Sequence, residues 1–389
     1  MSPLLKRVLS LAAIFALGTF MSIPTVSNAN AETVQKQPQE IIVKFKQNAT
    51  SSDVSALHAK AKASITSTNK QLGYQVVKVN EGQNMEDVLK QYQSNPNVEY
   101  VEPNHEVHAF FTPNDPRYSE QYAPQLVGAE EAWDVTQGSS NVTVAIVDTG
   151  VDYNHPDLQG KVIKGKDFVD NDDDPMDENM HGTHCAGIAA ALTNNGVGIA
   201  GMAPKVKILA ERVLDANGSG TLDSVAQGIT HATDQGADVI SLSLGSPQGA
   251  STLENAVNYA ASKGAVVVAA AGNESTSAPS YPAYYEKAIA VAATDSNDKI
   301  ASFSNYGSWV DVAAPGVNIL STVPGGGYQT ASGTSMATPL VAGQAALLAS
   351  QGKSASEIRQ AIEGTADQIS GTGQYWAHGR VNAAKSVSQ

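Results

Sequence analysis

The chain has 389 residues, of which 42% are hydrophobic and 16% charged, a composition typical of a globular protein with a large core. Its formal net charge is −14 and its pI about 4.9, which argues against nucleic acid as a partner because phosphate binding needs clustered Lys and Arg. The only cysteine, Cys185, permits no internal disulfide.

Residues 1–31 have the features of an export signal. Lys6 and Arg7 precede an apolar run that is too short to span a bilayer comfortably, and "ANA", which ends at Ala31, is a small-x-small cleavage site. A membrane anchor is the alternative. We predict cleavage after Ala31 and a secreted, extracellular protein that contacts no membrane once the signal is removed.

Short strands and helices alternate from about Gln39 to His108. We expect strands at "EIIVKF", "YQVVKV" and "VEYVEP", and helices at "SSDVSALHAKA" and "MEDVLKQYQ". The pattern predicts a small α+β unit within 32–110. Its core is too small to make it more than marginally stable alone.

Longer apolar runs separated by helical stretches follow Phe111. Near-continuous apolar runs are typical of strands that are buried on both faces. Strands are predicted at 142–148, 206–214, 237–245, 264–273 and 288–294, and helices at 222–235, 253–263 and 334–351. The alternation predicts an α/β domain over 111–389, with a doubly wound parallel sheet flanked by helices and functional residues at the carboxyl ends of its strands.

The acidic residues are concentrated in this second part. From Phe111 onward there are 14 Lys and Arg against 29 Asp and Glu. A domain this acidic either stays solvated or binds cations. In "DFVDNDDDP" the near-alternate Asp167, Asp170, Asp172 and Asp174 are suited to a hard cation such as Ca²⁺, and a hydrated acidic turn is the alternative.

Four short motifs carry residue types that are used in catalysis. "DTG" puts Asp148 at the end of the first apolar strand, where a turn-forming role is equally open. "AAAGN" ends a strand at Asn273, whose side chain can donate to an oxyanion or can form an ordinary turn. "SGTSMATP" puts Ser335 at a helix N-terminus, as a nucleophile or as a plain helix cap.

The fourth motif, "HGTHCAG", contains His181, His184 and Cys185. Two histidines at i and i+3 share one helix face, but the Glu and the spacing of a zinc HExxH motif are missing. Cys185 lies in a stretch of small apolar residues and is expected to be an inert buried thiol. Helix spacing does not decide between the two histidines as a catalytic base.

The order of these motifs resembles that of the signature motifs of the subtilisin-like serine proteases: "VDTG", "HGTHCAG", "AAGNE" and "GTSMATP". Within that family the resemblance is greatest to the thermitase-like branch. The resemblance implies that Asp148 orients His181, that His181 is the general base and that Ser335 is the nucleophile. It further implies an oxyanion hole made by Asn273 and the Ser335 backbone N–H, and a structural role for His184.

The resemblance also implies the ligands of a secreted serine endopeptidase. Polypeptide substrates would lie along "SLSLG", and an uncharged S1 pocket would favour an apolar or aromatic P1 residue. The residues implied for this pocket are Leu242, Ser243, Leu244, Gly245, Ala270, Ala271, Gly272 and Ser280. The unit at 32–110 would be a ferredoxin-like propeptide that inhibits its own chain and is removed at Phe110–Phe111 or one bond later, and we expect a monomer.

Calcium is the implied cofactor. It would stabilise the fold as a cross-link in place of disulfides. A first site maps onto Asp115, Asp157, Leu192, Asn195, Val197 and Ile199, a second onto the Asp167–Asp174 loop, and a weaker one onto carbonyls of Ala283, Tyr285 and Ala288. Two residues depart from the family pattern. Met176 stands where the second site would take a polar side chain, and Leu340 stands where the family commonly has His, on the nucleophile's helix.

Overall fold

The computed structural model of the protein describes residues 40–80, 82–105 and 111–389. The predicted signal at 1–31, its cleavage after Ala31 and the chain immediately before Phe111 lie outside the described residues. Two units are described, one at 40–105 and one at 111–389.

The first unit is a four-stranded antiparallel sheet with two helices. Its order is β-α-β-β-α-β and its sheet order β2-β3-β1-β4, the split arrangement of ferredoxin-like folds. The elements are β1 (Glu40–Phe45), α1 (Ser51–Lys60), β2 (Ala63–Asn69), β3 (Tyr74–Val79), α2 (Met85–Gln93) and β4 (Val98–Pro103). Nine buried residues form its core. The sequence did not predict β2, because this edge strand is polar and largely exposed.

The second unit is built on eight parallel strands in the order β14-β11-β10-β9-β8-β5-β7-β6. Its strands are β5 (Thr143–Asp148), β6 (Val162–Asp167), β7 (Lys207–Arg212), β8 (Val239–Leu242), β9 (Val266–Ala270), β10 (Ala288–Thr294), β11 (Val312–Pro315), β14 (Gly379–Arg380) and the antiparallel hairpin β12 (Ile319–Val323) and β13 (Gly327–Ala331). Its helices are α3 (Tyr122–Leu126), α4 (Ala129–Val135), α5 (His181–Ala190), α6 (Leu222–Asp234), α7 (Ser251–Ser262), α8 (Thr334–Ser350), α9 (Ala355–Gly364) and α10 (Ala383–Val387).

The sheet is buried on both faces, as its apolar strands predict. Val144 and Ile146 of β5 belong to a core that includes residues of α5 and α8, and Ala145 and Val147 belong to a second core with residues of α6 and α7. Alternate residues of a strand point to opposite faces, so one apolar run supplies both cores. The predicted α/β class with helices on both faces is confirmed.

Strand order explains where a site can form. The chain's first strand in this sheet, β5, lies between β7 and β8, so the connections leave it in both directions. Ligands of such sheets bind at the carboxyl ends of the strands, at this switch point. Asp148 ends β5, and the segments that follow β8 and β9 carry Ser243 and Asn273 to the same edge.

A contact between two glycines joins this edge to α5. A β-carbon at Gly182 would lie 2.0 Å from the carbonyl oxygen of Gly150, and Gly150 itself has a positive φ of 99°. Only glycine at position 182 lets the first turn of α5 pack against the turn that follows Asp148.

Within the described ranges, no helix has both the length and the apolarity to cross a bilayer.

We expect Gly182→Ala to lower the thermal midpoint by about 3–10 °C, because the added methyl group must push the turn after β5 away from α5. The matched control is Gly364→Ala, where a β-carbon meets no atom within 4 Å. Calorimetry of both variants is the measurement. Equal midpoints for the two variants would contradict the close approach.

Candidate active site

A buried carboxylate and a partly exposed imidazole form the centre of the site. The Asp148 side chain is buried at the end of β5, and its Oδ1 accepts hydrogen bonds from Nδ1 of His181 at 2.7 Å and from the backbone N–H of Thr149 at 2.7 Å. His181 is the first residue of α5, with 28% of its side chain exposed. The carboxylate therefore holds the proton on Nδ1 and leaves Nε2 as the acceptor.

The electrostatics of His181 follow from this pairing. Burial of the ring is the largest single influence and opposes protonation, but the charge and hydrogen bond of Asp148 and the charge of Asp177 together outweigh it. The pKa of His181 is therefore raised above its ordinary value of 6.5.

Asp177 ties the turn after β5 to the first turn of α5. Its Oδ1 accepts from the hydroxyl of Thr149 at 2.9 Å, and its Oδ2 accepts from the backbone N–H and the hydroxyl of Thr183 at 2.9 and 2.6 Å. Carboxylates are favourable at helix N-termini because they satisfy free N–H groups there. This buried residue was not singled out from the sequence, because one Asp in an acidic segment carries no distinctive signal.

Ser335 and Asn273 provide the hydrogen-bond donors of the site. Ser335 is the second residue of α8, and its hydroxyl donates to the carbonyl oxygen of Ser243 at 3.1 Å. Oδ1 of Asn273 accepts from the backbone N–H and the hydroxyl of Thr334 at 2.8 and 3.0 Å. These two bonds fix the amide so that Nδ2 is available to a ligand.

The geometry around Gly333 places the two donors side by side. A β-carbon at Gly333 would lie 3.6 Å from the backbone nitrogen of Ser335 and 3.7 Å from Nδ2 of Asn273. Two N–H donors near one point at a helix N-terminus are suited to stabilising a negatively charged oxygen.

Two adjoining clefts meet at this centre. One, of about 550 Å³, is lined by His181, and the other, of about 500 Å³, by Asn273 and Ser335; both share the segment 243–246. Six of the expected S1 residues line the second cleft: Ser243, Leu244, Gly245, Ala270, Gly272 and Ser280. The side chains of the other two, Leu242 and Ala271, are buried in the hydrophobic cores, and their part in the S1 pocket stays a prediction.

The second cleft also contains a charge that the sequence analysis did not place there. Glu274 lines it, and Nδ2 of the buried Asn305 donates to Oε2 of Glu274 at 2.7 Å. The expectation of an uncharged pocket is therefore corrected at its rim. The contact between Asn305 and Glu274 joins loops that are 31 positions apart, so no local motif signals it.

Comparisons with known proteins decide the family. The family model described as "Subtilase family" matches residues 139–382, and the model described as "Fervidolysin N-terminal prodomain" matches residues 24–104. The chain belongs to the subtilase family. It is 66% identical to thermitase of Thermoactinomyces vulgaris over 278 residues, which cover 71% of this chain and 99% of thermitase.

Two further relatives extend over more of this subtilase. The thermophilic serine proteinase of Bacillus sp. (strain AK1) is 57% identical over 352 residues, 90% of this chain and 87% of the relative. Subtilisin E of Bacillus subtilis (strain 168) is 40% identical over 388 residues, 97% and 98% of the two chains. The resemblance to subtilisin-like proteases is confirmed, and the chain is a serine endopeptidase with an N-terminal prodomain.

The remaining residues of the HGTHCAG motif are buried. Nε2 of His184 donates to the carbonyl oxygen of Gln329 at 2.9 Å, and burial lowers the pKa of His184 to about 4. Burial raises the pKa of the Cys185 thiol, which donates to the Ser335 carbonyl oxygen at 3.4 Å. Ligand atoms of Asp148, His181 and Cys185 lie within 4.8 Å of one another, and His184 is not in this group.

The first expected calcium site of this subtilase brings its residues together. Oδ1 of Asp157 accepts from the side-chain amide of Asn195 at 2.9 Å, and Asp115 accepts from the backbone N–H of Asn194 at 2.6 Å. The expected carbonyl ligands Leu192, Val197 and Ile199 lie on one loop. The backbone N–H of Leu192 donates to the Asp157 carbonyl oxygen, and that of Ile199 donates to Oδ2 of Asp157.

The charge balance at this site fits a hard cation. Asp115 and Asp157 are both buried, and their hydrogen-bond partners are neutral: backbone N–H groups, an amide and the Tyr328 hydroxyl. Burial raises the pKa of Asp115, and the charge of Asp157 adds to this. Carboxylate and carbonyl oxygens such as these are the ligands that Ca²⁺ prefers.

Side chains of the protein itself bind three of the four aspartates of the second expected site. Arg212 donates to Asp167 at 2.5 Å and to Asp170 at 2.6 Å, whereas Asp174 accepts from the Tyr153 hydroxyl and pairs with Lys164. Asp172 is exposed. Cations of the chain itself thus pair with these carboxylates, and a calcium site in this loop stays a prediction. Met176, whose departure raised doubt about this site, belongs to the same segment.

The weaker expected site also meets a cationic side chain. The guanidinium of Arg359 donates to the carbonyl oxygen of Ala288 at 3.0 Å and pairs with Asp311 at 2.9 Å. The carbonyl of Tyr285 accepts from the backbone N–H of Ala288, and Ala283 is buried in the second core. The Ala288 carbonyl thus already has a cationic partner, and a weaker cation site here stays a prediction. Leu340 is buried on α8.

The pKa of His181 tests the pair at the centre. In a Ser335→Ala chain we expect His181 to titrate above pH 6.5, and Asp148→Asn to lower its pKa, because only the charge of Asp177 then opposes the effect of burial. Since the folded-state pKa is raised, the pair stabilises the fold fully below the unfolded pKa, and this contribution is lost as the pH rises through the folded pKa.

Histidine NMR titrations measure this change. Asp87→Asn in the first unit is the matched control and should leave the His181 titration where it was. The pairing would be contradicted by an Asp148→Asn chain whose His181 titrates at the same pH as before.

Proposed function

We propose that the chain is a secreted, calcium-stabilised endopeptidase that is made as a self-processing zymogen and acts as a monomer. The observation that carries the catalytic part is the 2.7 Å contact between Asp148 and His181, at a cleft whose other wall carries the donors of Ser335 and Asn273. Asp148 is the orienting carboxylate, His181 the general base and Ser335 the nucleophile.

In the proposed mechanism, the Ser335 hydroxyl turns from the Ser243 carbonyl toward Nε2 of His181 when a substrate enters. Catalytic hydrogen bonds commonly tighten only in the substrate complex. His181 accepts the hydroxyl proton as the oxygen attacks the peptide carbonyl, Asp148 stabilises the imidazolium, and His181 then gives the proton to the leaving amine. Asn273 Nδ2 and the Ser335 N–H donate to the oxyanion.

The polypeptide would bind as an extended strand along Ser241–Gly245, with its backbone paired to this segment. The P1 side chain would enter the cleft between 243–245 and 270–272, with Ser280 at its wall. Mainly small and apolar lining groups support a broad preference for apolar or aromatic P1 residues. Glu274 at the rim adds a weak preference for a basic one, because its exposed charge is screened by water.

The first unit would act as an intramolecular inhibitor until it is removed. The tail "HEVHAFF" would lie in the active site, and Ser335 would cut at Phe110–Phe111 or one bond later. The prodomain match at 24–104 supports a zymogen, and the signal features of residues 1–31 support export.

Calcium would be held by the side chains of Asp115, Asp157 and Asn195 and by the carbonyls of Leu192, Val197 and Ile199. When bound it supplies positive charge to two buried carboxylates and thereby stabilises the loop at 192–199. None of these residues belongs to the catalytic set, so the ion is a staple and takes no part in bond breaking.

We expect Ser335→Ala to accumulate as an unprocessed chain near full length minus the signal, and to lose casein hydrolysis by a factor on the order of 10⁶, because the nucleophile is missing. Ser332→Ala, which removes an exposed hydroxyl three residues earlier, is the matched control and should process and cleave normally. Gel electrophoresis and casein digestion are the measurements. Normal self-processing of purified Ser335→Ala would overturn the serine mechanism.

Removal of calcium should lower the thermal midpoint by about 5–10 °C, since a ligand at 100 times its Kd adds about 2.7 kcal/mol to the folded state. The measurement is calorimetry of inhibited mature protein with calcium and after EGTA treatment. Asp115→Asn should respond less to calcium than the wild type, whereas the exposed Asp223→Asn, which lies in no expected calcium site, should respond equally. A thermal midpoint that is unchanged after verified metal removal would contradict stabilisation by calcium.

A further inference from the structure

Asn305 directs its whole side chain at one short segment of the active-site wall. It is 1% exposed, and its Nδ2 donates to the Ala271 carbonyl oxygen at 2.9 Å and to Oε2 of Glu274 at 2.7 Å. Its Oδ1 accepts from the backbone N–H groups of Glu274 and Thr276 at 3.0 and 3.2 Å. Two donor hydrogens and two lone pairs are all that an amide side chain has.

These bonds lie on both sides of Asn273. The backbone N–H of Asn305 donates to the Gly272 carbonyl oxygen at 2.9 Å, and its Oδ1 binds the N–H of Glu274. Asn273 and Glu274 are themselves exposed. The backbone around Asn273 is therefore held from its buried side by Asn305, while the Asn273 amide is held by Thr334.

Gly272 makes room for this arrangement. A β-carbon at position 272 would lie 2.4 Å from Nδ2 of Asn305 and 2.6 Å from Oε2 of Glu274, and the φ of Gly272 is 103°. The contact between Asn305 and Glu274 thus fills the space next to the residue that precedes Asn273. A side chain at 272 would separate the two.

We propose that Asn305 is a positioning residue for the oxyanion donor Asn273 and a determinant of P1 specificity through Glu274. It holds the backbone on each side of Asn273, and it keeps the Glu274 carboxylate at the rim of the cleft that receives the P1 side chain. This assignment rests on the proposed endopeptidase function.

The two roles predict different kinetic effects. A displaced oxyanion donor weakens an interaction that is made only in the transition state, so it lowers kcat more than it raises KM. A Glu274 carboxylate that is free to turn into solvent interacts less with a basic P1 side chain. It therefore changes the ratio of kcat/KM for Lys and Phe substrates, which a loss of fold stability alone does not change.

The experiment compares wild type, Asn305→Ser, Glu274→Gln and the double variant on matched tetrapeptide p-nitroanilides with Phe or Lys at P1. Enzyme concentrations are set by labelling Ser335 with phenylmethylsulfonyl fluoride. We expect Asn305→Ser to lower kcat about tenfold on both substrates with little change in KM. We also expect a two- to fivefold lower Lys:Phe ratio, in the Glu274 background only. Asn297→Ser, an exposed change on the same loop, is the control and should leave both quantities unchanged.

Unchanged kcat and an unchanged Lys:Phe ratio in Asn305→Ser would overturn the proposal. An equal shift of the ratio with and without Glu274 would overturn its specificity half. If Asn305→Ser fails to fold, Asn305→Thr decides, because it too removes the Nδ2 donor without adding charge. Relative to wild type it should lower kcat about tenfold and the Lys:Phe ratio two- to fivefold. An unchanged ratio there overturns the specificity half as well. Wild-type protein that hydrolyses neither substrate would contradict the proposed function instead.

Discussion

The buried carboxylate of Asp148 is the constraint on which the rest of the site depends. An ionised group at the end of an apolar strand is costly unless it is hydrogen-bonded, and the partners of Asp148 are the N–H of Thr149 and the ring of His181. To bring the ring there, the first turn of α5 must press against the turn after β5. Gly182 makes this approach possible, and Asp177 fastens it.

Much of this arrangement could be predicted from sequence, because its signals are local. Buried parallel strands appear as apolar runs, and the four motifs fall at the ends of strands or the starts of helices. The bounds of β10 agree with the predicted 288–294, and those of α6 and α8 differ by one residue at the C-terminus. The choice of His181 over His184 needed the family resemblance, since both lie in one helix turn.

Contacts between distant residues, by contrast, could not be predicted from local sequence signals. The acidic loop at 167–174 is suited to a cation by composition, but Arg212, some 40 positions later, provides that cation. Arg359 does the same at Ala288. The family resemblance implied that Leu242 and Ala271 belong to the S1 pocket, whereas their side chains lie in hydrophobic cores.

The small core of the first unit contains nine buried residues, all between Ile41 and Val98, and it shares none of them with the cores of the second unit. A cut near Phe111 therefore divides the described chain where its apolar packing is already divided. Maturation by such a cut would take no buried side chain from the cores that support Asp148, His181 and Ser335. Removal of the first unit would leave the buried residues of the second unit's cores in place.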